Sequence, residues 1–507
     1  MSSFFRGTLI LMFAVLVTKV FGFIYRIQFM RVAGEEAVGI FNTAYPAFIF
    51  FLSLITLGLP IAVAKVIAEL EAKGQQNRFS QVMRTSTVLT TAATIVMIPL
   101  LVLFIPFLSG ELLKEDSTSW TLYLGLATVP IAAASGLIRG YFQGIARIEE
   151  TAWSQILEQL IRIGLITYML PYFIATEQPA KTAAIAMFIT LLSEAASLLY
   201  LWWKYRQAKA KTLKPEQMKN GYYSAKPLLS VAVPSAGSRL FGSFTWFLEP
   251  IIFLRALAVS GITAAAATTL YGIISGVLIP LLLFPSFIPF ALSVVLVPAV
   301  SGAIAAKKKD VMRERIHLAL RLSTLTGCFA ATLFFVHGEE IAISIFHISK
   351  GAEYMTLLAP IFFFYYIQSP LMSILQAMQE ARAAMMNSVY GGVGKLAVMF
   401  VLASQPGLQE TGAVLAIGFG VLVTSFLHIA TLRQKKETKT GFRMFVVPYA
   451  LFILTCYFRP ILLPIGTYSL YTDAAITMLM LLAGLIVFRQ FKLSDLGQLK
   501  KLMRKKF

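Results

Sequence analysis

Positively charged side chains lie deep inside the first long apolar stretch of this sequence. Lys19 and Arg26 stand seven residues apart in the run TKVFGFIYR, which is about two helical turns and therefore one face of a helix. A charge at the centre of a membrane-crossing helix costs about 2.5–3.5 kcal/mol on insertion scales, so such residues should face a polar interior. Both lie too deep for snorkelling, which suits Arg31 at the end of the stretch. We therefore predict that Lys19 and Arg26 line a cavity.

A second group of charged residues falls in the fourth to sixth apolar stretches. Glu158 and Arg162 are four residues apart, a spacing that favours an ion pair on one helical face. That pair either fixes packing or contacts a ligand, and the spacing does not choose between these roles. Arg139 lies near the end of its stretch and is interpreted as an anchor at lipid headgroups. Glu194 is expected to pair with a cation on another helix.

The seventh stretch carries Arg239 and Glu249. Arg239 lies near one end, so snorkelling competes with a role as a cavity cation. Glu249 directly precedes Pro250, and a proline leaves nearby backbone carbonyls without donors, so that they could share a cation. We predict that Glu249, like Glu158, serves ion coupling or pairs with a charge in the cavity.

Cations outnumber carboxylates among these deep residues of the first half of the chain, which favours an anionic ligand. Phosphate fits best, because arginine binds it through two parallel hydrogen bonds and lysine as a compact charge. A cavity for cationic drugs would need the opposite balance. The four histidines are scattered, and the sequence has no phosphate-binding glycine loop and no Cys/His metal spacing. It predicts a protein that is not an enzyme and has no catalytic residue, metal or cofactor.

The composition defines the setting of these charges. Of the 507 residues, 58% are hydrophobic and 13% are charged, with a net charge of +20. Apolar runs of about 20 residues recur from end to end, so we predict an all-α integral membrane protein. Its lysines and arginines sit largely in short loops, which indicates contacts with anionic membrane lipids rather than nucleic acid. Cys328 and Cys456 lie inside apolar segments and are expected to be inert core residues.

About fourteen spans fit the hydropathy pattern. They cover residues 8–31, 41–67, 84–108, 120–144, 152–175, 181–203, 228–256, 266–304, 316–337, 354–379, 386–404, 410–432, 443–464 and 470–490. Basic loops alternate with acidic or uncharged ones. The positive-inside rule therefore places both termini in the cytoplasm of a multi-pass cell-membrane protein.

Prolines interrupt two of these spans. The apolar run Tyr271–Lys309 is too long for one straight crossing, and Phe41–Lys73 is its counterpart in the first half. Each proline removes a backbone donor and bends a helix. Broken segments at matching places in two halves point to a transporter's central site. We predict that the prolines form a gate or hinge: Pro46, Pro60, Pro280, Pro285, Pro289 and Pro298.

The basic stretch 204–226 divides the chain into two groups of six spans. We predict an N-lobe over 1–203, a cytoplasmic linker over 204–226 and a C-lobe over 227–432. The segment around Ser135 has a faint echo around Ser369, which favours two related lobes. Residues 433–490 form two additional spans, and 491–507 a basic amphipathic helix on the inner leaflet. The linker is interpreted as solvated, with a specific lipid or protein site as the alternative.

Three segments resemble the stage V sporulation protein B family. They are RGYFQGIARIEETAWSQILEQLIRI (Arg139–Ile163), LYGIISGVLIPL from Leu270, and LVPAVSGAIAAKKK at the end of the eighth span. This is the polysaccharide-biosynthesis branch of the superfamily of multidrug/oligosaccharidyl-lipid/polysaccharide (MOP) exporters, which also contains the MurJ-type lipid II flippases. The likeness covers essentially the whole chain. It implies a V-shaped fold of two six-helix lobes with alternating access.

The resemblance also implies a substrate with an undecaprenyl tail, a pyrophosphate and a sugar-bearing head. In the flippase branch, cations of the first span face the cavity, and Lys19 and Arg26 occupy matching positions. Those flippases also tend to carry arginines in spans two and eight. Here span two has only Lys65, and span eight has no charge before Lys307, so the head group stays open. The last two spans would offer an apolar groove for the prenyl tail.

Together these expectations describe a flippase for a lipid-linked cell-wall precursor, either lipid II-like or a polysaccharide repeat unit. It would serve spore cortex peptidoglycan, with cell-wall synthases as candidate partners. One alternative is a cation-coupled multidrug exporter of the same fold, which would depend on Glu158 and Glu249. Another is a membrane scaffold for cell-wall enzymes that transports nothing, which would depend on the basic loop and tail.

Overall fold

The computed structural model describes residues 3–174, 178–212, 221–435, 441, 443–462, 469–488 and 490. The predicted amphipathic tail 491–507 and the middle of the predicted linker, 213–220, lie outside these ranges. Every regular element within them is helical. The helices are α1 (Ser3–Thr56), α2 (Leu59–Ala72), α3 (Phe79–Pro106), α4 (Ser119–Gly144), α5 (Ile148–Tyr168), α6 (Pro171–Ile174), α7 (Pro179–Thr212), α8 (Ala225–Val259), α9 (Ala264–Ile273), α10 (Ile279–Leu283), α11 (Phe287–Ala305), α12 (Lys309–Phe346), α13 (Tyr354–Ala377), α14 (Ala381–Ala403), α15 (Gln409–Gln434), α16 (Arg443–Leu462) and α17 (Leu470–Val487).

Twelve helical segments of the described residues are long and apolar enough to cross a membrane. The chain is therefore an all-α, multi-pass membrane protein, as the composition predicts. The number fourteen stays a prediction. The first two predicted spans fall within one long element, α1, which is kinked at Gly34 and counts as a single segment. Polar residues such as Glu158 and Arg162 dilute the apolar content of α5.

The chain divides into two compact units, Met1–Gly276 and Val277–Phe507. In the first unit, α1 packs against α4, α5, α7, α8 and α9. The backbones of α1 and α9 approach each other closely. A Cβ atom added to Gly39 would lie 2.3 Å from the Thr268 carbonyl oxygen, and one added to Gly272 would lie 2.5 Å from the Gly39 Cα. Small residues let helix backbones meet in this way inside a bilayer.

The second predicted span is broken after Thr56. Leu57 (φ 44°) and Gly58 (φ 73°) have left-handed backbone conformations, and Pro60 then lies in the first turn of α2. Proline suits that position because the first amide groups of a helix have no intrahelical acceptor. Pro46 lies within helical α1, whose interior break is at Gly34 (φ 79°). The break therefore coincides with Pro60 and not with Pro46.

The eighth predicted span is a chain of short helical pieces. After α9 comes a π-helical turn, Ile274–Leu278, then α10 with Pro280 in its first turn. A 3-10 turn, Phe284–Ser286, contains Pro285, and α11 follows with Pro289 and Pro298 in its sequence. The two compact units meet in sequence at Gly276, inside the π-helical turn. A π turn lacks the regular i to i−4 bonds, so it is a local weak point of a helix.

In the second unit, α13 lies at the centre and packs against α11, α12, α14 and α15. The two C-terminal helices α16 and α17 pack against α12. These three helices are joined by an apolar cluster that includes Cys328, Phe452 and Leu481. Cys328 and Cys456 are both free thiols. Helices α8 and α9, which follow the predicted linker, pack on α1 within the first unit. The predicted lobe boundaries at 203 and 227 stay a prediction.

Candidate functional site

Helices α4, α5 and α7 of the first unit share a network of four mostly buried charged side chains. The Arg139 guanidinium lies 3.1 Å from Glu158 Oε2 and 3.5 Å from Glu194 Oε1. Arg162 lies 2.7 Å from Glu158 Oε1, so the ion pair that the four-residue spacing predicts is present. Two arginines and two glutamates give this network a balanced formal charge. Breaking such a pair is expensive because an uncompensated charge is left inside the protein.

Three serines complete the hydrogen bonding of the two arginines. Arg139 donates from Nη2 to Ser197 Oγ at 3.0 Å and from Nε to Ser154 Oγ at 3.4 Å. Arg162 Nε donates to Ser193 Oγ at 3.3 Å. Both guanidinium groups are therefore occupied by partners within the protein.

The position of Arg139 corrects one interpretation made from the sequence. Arg139 does not anchor at lipid headgroups, because its guanidinium bonds to Glu158 on α5 and to Glu194 on α7. The expected pairing of Glu194 with a cation on another helix is confirmed by the same contact. Arg139 therefore ties three helices together.

Tyr25 connects this network to α1. The Arg162 guanidinium lies over the Tyr25 ring, 5.6 Å from its centroid, in a cation–π arrangement. The Tyr25 hydroxyl is buried, and no described group forms a hydrogen bond with it. Its chain neighbour on α1 is Arg26, so the buried Glu158–Arg162 pair of α5 lies against the part of α1 that carries this exposed cation.

Arg26 has a different environment from Arg162. Its side chain is exposed, and Nη1 donates a 3.2 Å hydrogen bond to the backbone oxygen of Ser275, in the π-helical turn after α9. Lys19, two turns earlier on α1, is also exposed and has interactions of its own. An exposed guanidinium with a carbonyl contact keeps further N–H donors for an outside acceptor.

Tyr45 lies where these groups converge. The charged groups close enough to act electrostatically on its hydroxyl are Arg26, Arg162, Glu158 and Glu194. Of the predicted residues, the structure therefore brings Arg26, Glu158 and Arg162 into one neighbourhood.

Aromatic side chains flank that neighbourhood. The Tyr45 ring lies 6.1 Å from Trp246 on α8 between centroids, and Phe50 stacks on Phe247 at 5.0 Å. Trp246 and Phe244 are 40% and 42% exposed. Exposed aromatic faces beside a cation can stack on the apolar face of a ring-shaped ligand while the cation holds its charge.

The remaining predicted residues lie elsewhere on α8. Arg239 is exposed, and Glu249 is half-buried with interactions of its own. Glu249 acts electrostatically on Tyr271 of α9. The ion pairs of the four-charge network join Arg139, Glu158, Arg162 and Glu194. The roles of Arg239 and Glu249 in binding or coupling stay predictions.

Sequence reasoning missed several members of this neighbourhood. Tyr25 and Tyr45 sit in apolar runs rich in other aromatics, and nothing in their spacing distinguishes them. Ser275 contributes a backbone oxygen, which no side-chain pattern can reveal. The one available signal was the proline-rich eighth span, since irregular backbone inside a bilayer exposes carbonyls.

A second buried charged cluster, in the second unit, also escaped the sequence analysis. Asp473 on α17 contacts Arg459 on α16, and its Oδ2 lies 3.4 Å from Nε2 of His337 on α12. All three side chains are largely buried. The cluster joins both C-terminal helices to α12.

The fold can be compared with solved structures. It superposes on the lipid II flippase MurJ, inward closed conformation, with a TM-score of 0.69 and 11% sequence identity, covering 95% of this chain and 99% of that one. An inward-facing multidrug resistance MATE family transporter of the MOP superfamily gives a TM-score of 0.65 at 14% identity, covering 84% and 99%. The class of the protein is therefore a multi-pass membrane protein with the MOP transporter fold.

Sequence comparison identifies the family. Residues 4–304 match the family described as polysaccharide biosynthesis protein. The chain is 36% identical to Stage V sporulation protein B of Bacillus subtilis (strain 168) over 459 residues, which cover 89% of this chain and 88% of that protein. The chain belongs to the polysaccharide biosynthesis protein family, and the resemblance inferred from its motifs is confirmed.

Proposed function

We propose that this protein is a flippase that moves a lipid-linked cell-wall precursor across the cell membrane by alternating access. The substrate would carry an undecaprenyl tail, a pyrophosphate and a sugar-bearing head. No covalent bond changes in such a step, so no acid–base pair is needed. The protein has only to replace water around the pyrophosphate while the tail stays in lipid.

The observation that carries this proposal is the environment of Arg26. Its guanidinium is exposed on a membrane helix, lies beside the broken eighth span and donates a hydrogen bond to a backbone carbonyl there. A guanidinium in this state is a strong site for a phosphate oxygen. Lys19 adds a second exposed cation two turns away. Arg162 would contribute less to phosphate binding, because Glu158 already neutralises its charge. Arg239 would also contribute less than Arg26.

The aromatic surface supports a sugar-bearing head group. Tyr45 lies within electrostatic reach of Arg26, and the partly exposed ring of Trp246 contacts Tyr45. Phe244 adds a second partly exposed ring on the same helix as Trp246. Sugar rings have apolar faces that stack on aromatic side chains. The substrate would then be held at two points, because the cation binds its pyrophosphate and the aromatic rings stack on its sugar-bearing head.

The gate is proposed at the interrupted spans. Leu57 and Gly58 precede Pro60 in one, and the π-helical turn precedes Pro280 and Pro285 in the other. Irregular backbone of this kind absorbs φ/ψ changes when helices swing. The two six-helix lobes, the cytoplasmic termini and a role for the added helices in holding the prenyl tail belong to the same proposal.

A role in sporulation is proposed from relationship. The relative at 36% identity is named Stage V sporulation protein B, and the solved fold relative is named a lipid II flippase. Together they support a precursor of spore cortex peptidoglycan as the substrate, with cell-wall synthases as consumers of the product.

The rival function, a cation-coupled drug exporter, would need carboxylates available to an organic cation. Glu158 is bonded to Arg139 and Arg162 at once, which leaves its charge neutralised. Glu249 is the remaining carboxylate for that function, and it lies beside Tyr271. The scaffold alternative depends on the basic loop 204–226 and on the tail 491–507.

The deciding experiment uses purified protein in liposomes. Fluorescent lipid-linked precursor is placed in one leaflet, and its appearance in the other is measured by an impermeant quencher or enzyme. We expect transport by the wild type and loss of at least tenfold in Arg26→Gln, since a charge-assisted hydrogen bond contributes about 1.5–3 kcal/mol. Arg382→Gln, which removes an exposed arginine in the first turn of α14, is the matched control. Uptake of organic cations that depends on Glu249 would instead favour the exporter.

A further inference from the structure

A groove on the first unit lies between α3, α4 and α7, at residues that neither the charged network nor the Arg26 neighbourhood uses. Its volume is about 810 Å³. Along α3 it extends from Ser80 to Thr94, which is about 21 Å at the helical rise of 1.5 Å per residue. This length is comparable with one leaflet of a bilayer, because the whole bilayer with its headgroup regions is about 40–45 Å thick.

One end of the groove is cationic. Arg84 near the start of α3 and Lys209 near the end of α7 both line it. Arg84 donates a 3.3 Å hydrogen bond to the Gly221 carbonyl oxygen, and no carboxylate lies among the described residues that line the groove. Arg206 stacks on Trp202 at 3.8 Å and adds a third cation beside the opening. This end therefore has positive charge without a matching negative charge on its walls.

Behind the cationic end, threonine hydroxyls follow along the α3 wall of the groove and apolar side chains lie on the α7 wall. One turn beyond Arg84 come Thr87 and Val88, and a further turn brings Thr90 and Thr91. The Thr90 hydroxyl is buried and has no hydrogen-bond partner among the described residues. Leu198 and Leu199 of α7 form the apolar side, and Leu199 is 65% exposed.

This order matches the order of groups in a glycerophospholipid: an anionic phosphate, ester carbonyls about one turn deeper, then acyl chains. Threonine hydroxyls can donate to ester carbonyls, which a purely apolar groove could not do. A soluble phosphate would leave the long apolar wall uncovered, and a zwitterionic lipid would bring its own cation to the positive end. Lys209 belongs to the predicted cytoplasmic linker 204–226, so the cationic end of the groove is expected at the leaflet rich in anionic lipids.

We propose that the groove between α3, α4 and α7 binds one anionic glycerophospholipid. Its phosphate lies at Arg84 and Lys209, its ester groups lie at the threonines, and one acyl chain lies along Leu198 and Leu199. The site is separate from the proposed transport path and does not depend on the identity of the transported substrate.

The test is native mass spectrometry of delipidated, full-length protein offered equal amounts of phosphatidylglycerol and phosphatidylcholine. We expect the wild type to retain one phosphatidylglycerol in preference. Arg84→Gln/Lys209→Gln should weaken that binding by about 25-fold, since each cation near an anionic lipid contributes about fivefold. Lys65→Gln/Arg382→Gln removes one exposed lysine and one exposed arginine elsewhere and should change it less than twofold.

A second variant keeps the charges and fills the groove. Thr91→Trp should abolish retention of the lipid with Arg84 and Lys209 intact. The proposal is overturned if both groove variants bind phosphatidylglycerol like the wild type. It is also overturned if glycerol phosphate displaces the lipid, which would indicate a site for a soluble anion, or if undecaprenyl phosphate binds there more tightly. Precursor transport measured in parallel distinguishes failure here from failure of the proposed function.

Discussion

Arg26 of α1 donates a hydrogen bond from Nη1 to the backbone oxygen of Ser275 at 3.2 Å. This contact joins an exposed cation of the first span to the π-helical turn of the eighth, 249 residues later. A π turn misaligns its carbonyls with the amides that would normally bond to them. A substrate anion at Arg26 would therefore compete with, or add to, a contact at the most irregular part of that span.

The identity of the cation at position 26 should matter as well as its charge. Arg26→Lys retains the charge but loses the planar donor set that reaches a carbonyl and a phosphate together. We expect Arg26→Lys to transport lipid-linked precursor at a rate between those of the wild type and Arg26→Gln. Initial rates in proteoliposomes measure this. Equal rates for the lysine and glutamine variants would show that charge alone contributes nothing at this position.

Removing Glu158 should destabilise the first unit. Glu158→Gln leaves Arg139 and Arg162 with one weaker partner between them, and breaking a buried pair typically costs about 3–5 kcal/mol. We expect a clearly lower unfolding temperature of the detergent-solubilised protein. Glu36→Gln, at an exposed glutamate of α1, is the control and should leave it unchanged.

The double variant Glu158→Gln/Arg162→Gln extends this test. It removes one charge of each sign, so it should recover part of the stability that Glu158→Gln loses. The assignment of these residues as a pair would be contradicted if the double variant lost more stability than its two single variants lose together.

The contact between α1 and α9 should tolerate no added methyl group. In Gly272→Ala the new Cβ would lie 2.5 Å from the Gly39 Cα and amide nitrogen, so one backbone must move. Overpacking of this kind costs about 1–3 kcal/mol. Gly237→Ala on α8 is a matched control, because nothing lies within 4 Å of its added Cβ. Thermal unfolding compares the two, and equal stability would show that α9 is not held against α1 at this point.

The C-terminal helices should loosen when Asp473 loses its charge. Asp473→Asn leaves Arg459 without its carboxylate and removes the contact with His337. We expect faster hydrogen exchange or proteolysis in 443–487, with the rest of the second unit less affected, because local openings follow the weakest contacts. Asp310→Asn is the control, since the side chain of Asp310 is 96% exposed. Unchanged protection in Asp473→Asn would mean that apolar packing alone attaches these helices.

Much of this architecture was determined by sequence properties that act locally. Apolar runs of membrane-crossing length set the helices, and the break before Pro60 and the short pieces of the eighth span follow from backbone chemistry. The Glu158–Arg162 pair follows from helical spacing on one chain segment. Each of these features depends on residues only a few positions apart.

Tertiary structure alone decided which side chains share a site. Contacts between helices depend on how each packed helix is rotated about its axis and shifted along it. Examples are the ion pairs of Arg139 with Glu158 and Glu194 and the stacking of Arg162 on Tyr25. Hydrophobic periodicity does not determine these quantities, because membrane helices are apolar on nearly all sides. For that reason an arginine that looked like a headgroup anchor lies in a buried network, and a backbone oxygen 249 residues away is the contact of Arg26.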